Sequence, residues 1–157
     1  MTIVSESSPV REPASERALC TLFTRGGDSY ALPVVEVHRV FVPGWINRLP
    51  RLPASVMGIT QHRGRIVTVV DLAQLFGASA SPERPPANVD ARVLVLERAQ
   101  RHLGLYVDAV GQIANLRLSG EPDERGLRLI SYQGAAVAVL DAQRLAQRLI
   151  GLAGEEL

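Results

Sequence analysis

The 157-residue sequence predicts an all-β fold with short helices, divided into two small subdomains. Three observations carry that expectation. Short apolar runs rich in β-branched residues alternate with glycine-containing turns. Asp71 and Asp141 each follow such a run and precede a helical pattern, where an aspartate caps a helix start. The run–turn–run grammar of Gly58 to Gly77 returns near the C-terminus.

In chain order, residues 1–17 are rich in Ser, Glu, Pro and Arg and are expected to be a disordered tail. A domain is expected over 18–150. ALCTLFTRGGDSYALP reads as two strands joined by a turn at Gly26-Gly27-Asp28, and Val34 to Val42 as an apolar stretch that starts with a helical turn. Three prolines make the segment from Pro43 to Ser55 a loop. Gly58 to Gly77 then holds a strand, an Arg63-Gly64 turn, and a strand built on Ile66, Val67, Val69 and Val70. Asp71 ends it, with Gln74 completing a capping-box pattern and Leu72, Leu75 and Phe76 giving the helix an apolar side.

A Pro-, Ser- and Ala-rich stretch near 78–90 is expected to be a linker. ARVLVLE and HLGLYVD form a second hairpin, and Val110 to Leu118 is extended. A polar, turn-prone stretch follows from Glu121 to Gly126. LRLISY and AAVAVL form a third hairpin around Gln133-Gly134. A helix starts near Asp141 with Leu145, Leu149 and Ile150 on one face; Gly151 is expected to stop it, leaving 151–157 as a tail.

Two matches point to an internal duplication. YALPVVEVHRV matches LGLYVDAVGQI, pairing Val34 with Val107, Val37 with Val110 and Val40 with Ile113 at an offset of 73 residues. RGRIVTVVDL matches QGAAVAVLDA, pairing Gly64 with Gly134 and Asp71 with Asp141 at an offset of 70. Near-equal offsets are what two copies with slightly different loops would give.

Composition narrows the function. A hydrophobic content of 46% supports a core packed mostly by aliphatic side chains, since aromatics are 4%. A net charge of +1 argues against a protein built to neutralise a phosphate backbone. The single Cys20 can form no internal disulfide and reads as a small buried side chain. No secretory signal pattern opens the sequence, and no apolar run reaches the length needed to span a bilayer, so a cytoplasmic location is expected. His38, His62 and His102 show no metal-ligand spacing, and neither a Walker loop nor a GxSxG elbow occurs. No cofactor, metal or catalytic residue is therefore expected.

Arg63 reads either as a solvated turn residue or as a guanidinium held at a rigid tip, able to pair with a partner's carboxylate. Arg48, Arg51, His62, Arg63 and Arg65 could form a weak nucleic-acid patch, but interleaved aromatics are missing. Trp45, in a Pro/Gly loop, fits core packing and partner contact equally well.

The most specific pattern is Pro53-x-x-Val56-x-Gly58-Ile59 followed by Arg63-Gly64-x-Ile66-x-x-Val69-x-Asp71-Leu72. With the preceding Tyr30-Ala-Leu-Pro33 and the later VLVLERAQRHLGLYVDAVGQI and AVAVLDAQRLAQ, the sequence from Leu19 to Ile150 resembles the CheW family of chemosensory coupling proteins. The resemblance implies two five-stranded SH3-like barrels around a shared core. It also implies a non-enzymatic adaptor that binds the regulatory domain of a CheA-type histidine kinase and the cytoplasmic tip of a methyl-accepting chemoreceptor, at membrane-associated arrays. Carried over by position, its receptor groove involves Val37, Val40, Arg63, Gly64, Leu105 and Val107. An SH3-like module binding another peptide or RNA is the alternative.

Two features depart from the family pattern. Arg39 stands where the family often has an acid paired with the turn arginine, which leaves Glu36 or the receptor as partner for Arg63. The stretch from Glu121 to Leu129 is also short. Both fit a divergent copy serving a specialised system such as surface motility.

Overall fold

The computed structural model describes residues 16–76, 88–98 and 101–156, with backbone alone from 151 onward. The expected tail therefore lies largely outside the described residues, as does most of the expected linker. Strand β1 (Glu16–Arg25) starts two residues before the expected domain boundary and turns at Gly26-Gly27 into β2 (Asp28–Pro33). A 3-10 turn (Val34–Glu36) leads into β3 (Val37–Phe41). β4 (Val56–His62), β5 (Arg65–Asp71) and helix α1 (Leu72–Leu75) complete the first half. The second half repeats this order with β6 (Arg92–Leu96), β7 (Leu103–Val107), β8 (Ala109–Leu118), β9 (Leu127–Tyr132), β10 (Ala135–Leu140) and helix α2 (Ala142–Glu156).

The ten strands form two five-stranded sheets, ordered β8-β1-β2-β10-β9 and β3-β6-β7-β5-β4. Advancing each strand of one sheet by one repeat reproduces the other. The duplication extends to register. Thr68 opposes Leu103 in one parallel pair and Ala138 opposes Tyr30 in the other, the same pairing at offsets of 70 and 73. Even the one-residue register shift is shared: β3 slips against β6 after Val37, and β8 slips against β1 after its counterpart Val110. Neither repeat forms a sheet alone, because each sheet takes two strands from one half and three from the other.

Three apolar clusters follow from this exchange. Val67, Val69, Val93, Val95 and Tyr106 fill the interior of the second sheet, which curls into barrel two. Cys20, Ala31, Leu116, Val137 and Val139 fill barrel one; burial pushes the Cys20 thiol pKa up. Between the barrels lies the largest cluster, where Phe23, Leu32, Leu72, Leu94, Leu96, Leu105, Val107 and Leu145 meet. Each such side chain contributes about 1.5–3 kcal/mol on full burial.

The caps are local and legible. Asp71 accepts from the Ala73 amide at 2.9 Å, and Asp141 from those of Gln143 and Arg144 at 3.1 and 3.2 Å. The Asp71 amide, the donor a capping box turns toward the third residue of the helix, donates to the Ser55 carbonyl at 2.7 Å. Gly151 does not stop α2, which runs to Glu156. Each of the two interior glycines, Gly151 and Gly154, costs only about 1 kcal/mol, and the neighbouring Leu, Ala and Glu favour continuation. The short stretch after Leu118 still leads into a full β9: Asp123 accepts from the amides of Arg125 and Leu127, and Arg144 of α2 donates to its carbonyl.

Gly58 explains the most specific part of the sequence pattern. Its φ is +148°, and a Cβ there would overlap the Asn47 carbonyl oxygen. The loop strand at Asn47 can therefore pair with Ile59 at 2.7 and 2.9 Å and close one end of barrel two.

An ion pair links the sheets. Arg25, at the end of β1, makes a two-pronged contact with Asp71, both bonds 2.8 Å, and a third with Asp108 at 3.2 Å. Its guanidinium also lies 5.3 Å from the centre of the Tyr106 ring. The Asp71 hydrogen bonds raise the Arg25 pKa further above its ordinary value. Arg25→Met would leave the Asp71 carboxylate buried without its cation, an expected loss of about 3 kcal/mol in urea unfolding. Arg25→Met/Asp71→Asn should recover part of it. A loss below about 1 kcal/mol would place the pair with solvated surface bridges.

Candidate functional site

The Arg63-Gly64 turn between β4 and β5 is a two-residue hairpin in which both residues have positive φ, 51° and 80°. This combination fits the right-handed twist of the flanking strands. A Cβ on Gly64 would meet nothing within 4 Å, so the glycine is required by backbone angle and not by space. Arg63 is thereby fixed at an exposed tip.

Around that tip, His38 and Arg39 of β3, His62 of β4, Arg65 of β5 and Arg101, before β7, converge on a cleft of about 170 Å³ floored by Val67 and Val95. The register shift in β3 after Val37 sets the positions of His38 and Arg39. The His62 ring stacks on Phe41 with centres 4.0 Å apart and planes 7° from parallel, joining β3 to β4 and closing the barrel. Glu97 balances part of the charge, meeting His38 at 2.9 Å and accepting from Arg101 at 2.9 and 3.2 Å. Those bonds, that to Arg101 foremost, lower the Glu97 pKa. Desolvation, followed by the Arg63 and Arg39 charges, holds the His62 pKa below the ordinary histidine value.

The six residues expected at a receptor groove differ in their exposure. Val40 is exposed on β3, Val37 is half-buried against the shared core, and Arg63 and Gly64 form the tip. Leu105 and Val107 are not available as contacts: both are fully buried. The reason is topological. β7 is the middle strand of its sheet, with Leu105 and Val107 facing the shared core while Tyr106 faces the interior of barrel two. Glu36 is not the partner of Arg63, because Arg98 holds both of its oxygens at 2.9 Å.

Trp45 lies outside the core. Its ring is 67% exposed, with Nε1 donating to Asn47 Oδ1 at 2.6 Å. Sequence reading did not join His38 and Arg101 to the site, since only strand order brings β3 and the β6–β7 turn together. Among the described residues no three His, Cys, Asp or Glu side chains group to hold a metal ion, and no helix is long and apolar enough to cross a membrane. The arrangement offers guanidinium and imidazole donors beside exposed aliphatic side chains, which is recognition chemistry.

A family model described as the CheW-like domain matches residues 20–149. The chain is 25% identical over 95 residues to the chemotaxis protein CheW of Helicobacter pylori, covering 60% of this chain and 55% of that protein. It is 34% identical over 88 residues to protein PilI of Pseudomonas aeruginosa, covering 56% and 47%. The match thus spans about half the length of these curated relatives. The crystal structure of the scaffolding protein TtCheW from Thermoanaerobacter tengcongensis shares the fold with a TM-score of 0.65 and 23% identity, over 80% of this chain and 90% of that one.

The His62 environment makes one prediction. Arg39→Gln should raise the imidazole's midpoint in an NMR titration toward the ordinary value, because one of the two neighbouring cations is removed. An unchanged midpoint would mean that the ring does not sense Arg39.

Proposed function

Because the chain belongs to the CheW-like domain family, we propose that it is a non-enzymatic adaptor coupling a chemoreceptor to a CheA-type histidine kinase. In this reading it binds the cytoplasmic tip of a methyl-accepting receptor and the kinase's regulatory domain, and sits in the cytoplasm at membrane-associated arrays. The observation that supports the receptor half is that β3, the strand of Val37 and the exposed Val40, lines one cleft with Arg63 through His38 and Arg39 at the mouth of barrel two. An aliphatic edge beside a fixed guanidinium suits a helical hairpin: apolar anchors supply affinity and the charge fixes orientation. Leu105 and Val107 support that edge from within the core.

The test is binding of the purified chain to a kinase regulatory domain and to a receptor-tip fragment; failure with both overturns the adaptor reading. Arg63→Gln probes the receptor face, because Gln133 already occupies the equivalent turn position at the same φ of 51°. Its unfolding free energy should stay within about 0.5 kcal/mol of the parent. Tip binding should weaken by about 1–3 kcal/mol, read by calorimetry. Unchanged tip affinity would move the receptor contact elsewhere.

A further inference from the structure

The duplication supplies a second mouth, on barrel one, in the position equivalent to the basic cleft. This mouth, of about 320 Å³, is lined among others by Leu22, Gln112, Tyr132, Gln133 and Ala135. At offsets of 70 and 73 residues, Gln112 stands for Arg39, Tyr132 for His62, Gln133 for Arg63 and Ala135 for Arg65. The turn backbone is the same, with φ of 51° and 80° at Gln133-Gly134 as at Arg63-Gly64. Only the chemistry differs.

The mouth of barrel one satisfies itself: the Gln112 and Gln133 amides both donate to the Tyr132 hydroxyl, at 3.0 and 3.4 Å. At barrel two the same three positions hold an imidazole and two guanidiniums, which only donate, so no shared hydroxyl satisfies them as at barrel one. The carboxylate at this mouth, Glu97, is engaged by His38 and Arg101. Among the described residues, no carboxylate pairs with Arg39 or Arg63.

We propose that the mouth of barrel two is a carboxylate-recognition site, taking Asp or Glu side chains of a protein partner between Arg39 and Arg63, and that the mouth of barrel one takes no anion. The partner's identity as a receptor tip rests on the coupling reading above; the chemistry does not. A protein acid fits better than nucleic acid. His62 covers one face of Phe41, and the cationic cleft is confined to one barrel mouth instead of tracking a phosphate chain.

The experiment uses the full chain and a receptor-tip hairpin fragment. Arg39→Gln/Arg63→Gln, which gives barrel two the residues of the other mouth, should weaken tip binding by about tenfold or more. Neutralising the fragment's own tip acids to amides should produce the same loss, with no further loss in the double variant. Gln112→Glu should stay within twofold of the parent, and the double variant should bind the kinase regulatory domain as the parent does. Tip binding that is indifferent to both changes overturns the proposal and leaves the coupling reading standing. If no tip binds the parent chain, a glutamate-rich helical peptide titrated into isotope-labelled protein still decides. Shifts confined to β3 and the 62–65 turn support the site, while no shifts, or shifts there only with a single-stranded RNA oligonucleotide, overturn it.

Discussion

Arg25 leaves the first sheet at the end of β1 and sets its guanidinium onto Asp71, the last residue of β5 in the second sheet, and onto Asp108, the link from β7 to β8. Most of the inter-barrel geometry depends on that contact. Asp71 is at once the end of β5, the cap of α1 and the anion for Arg25. Asp108 also accepts from the Gly26 amide at 2.8 Å, fixing the β1–β2 turn to the start of β8. Moving Arg25 would therefore disturb a cap, a turn and the join between the sheets together. Apolar packing supplies most of the stability of the shared core but is tolerant of direction; a two-pronged guanidinium–carboxylate contact is not.

The counterpart of Arg25 one repeat on is Arg98, and its different use shows how the duplicated halves have diverged. Arg98 takes Glu36 rather than a helix cap, and its side chain is 41% exposed against 11% for Arg25. Asp141 caps α2 with only a 3.9 Å contact to Arg144 of the same helix, and α2 is anchored instead by Leu145 and Leu149 in the shared core and by Arg148, which donates to the Leu75 carbonyl and lies over Phe76. The scaffold keeps its register while its polar groups change. A protein that meets more than one partner gains from this, because two equivalent edges can acquire different chemistry without altering the core.

Much of this was legible from sequence where the cause is local. The Arg63-Gly64 and Gln133-Gly134 turns announce themselves by glycine between β-branched runs, the aspartate caps by their place after strands, and the duplication by matched offsets. What sequence reading missed is long-range. Arg25 finds its partners 46 and 83 residues away, and no periodicity marks it. Glu36 was open as a partner for Arg63 until strand order put Arg98 beside it. Leu105 and Val107 looked available by position because a sequence cannot show that β7 is covered on both faces.

The barrels exist only by exchange of strands between the two repeats. The most direct measurement separates them, expressing residues 1–77 and 78–157 as two chains and recording amide NMR spectra of each alone and of the equimolar mixture. Either half alone should give a collapsed spectrum and no cooperative unfolding, and mixing should recover the intact chain's dispersed spectrum. A dispersed spectrum and a cooperative transition from either half alone would contradict it.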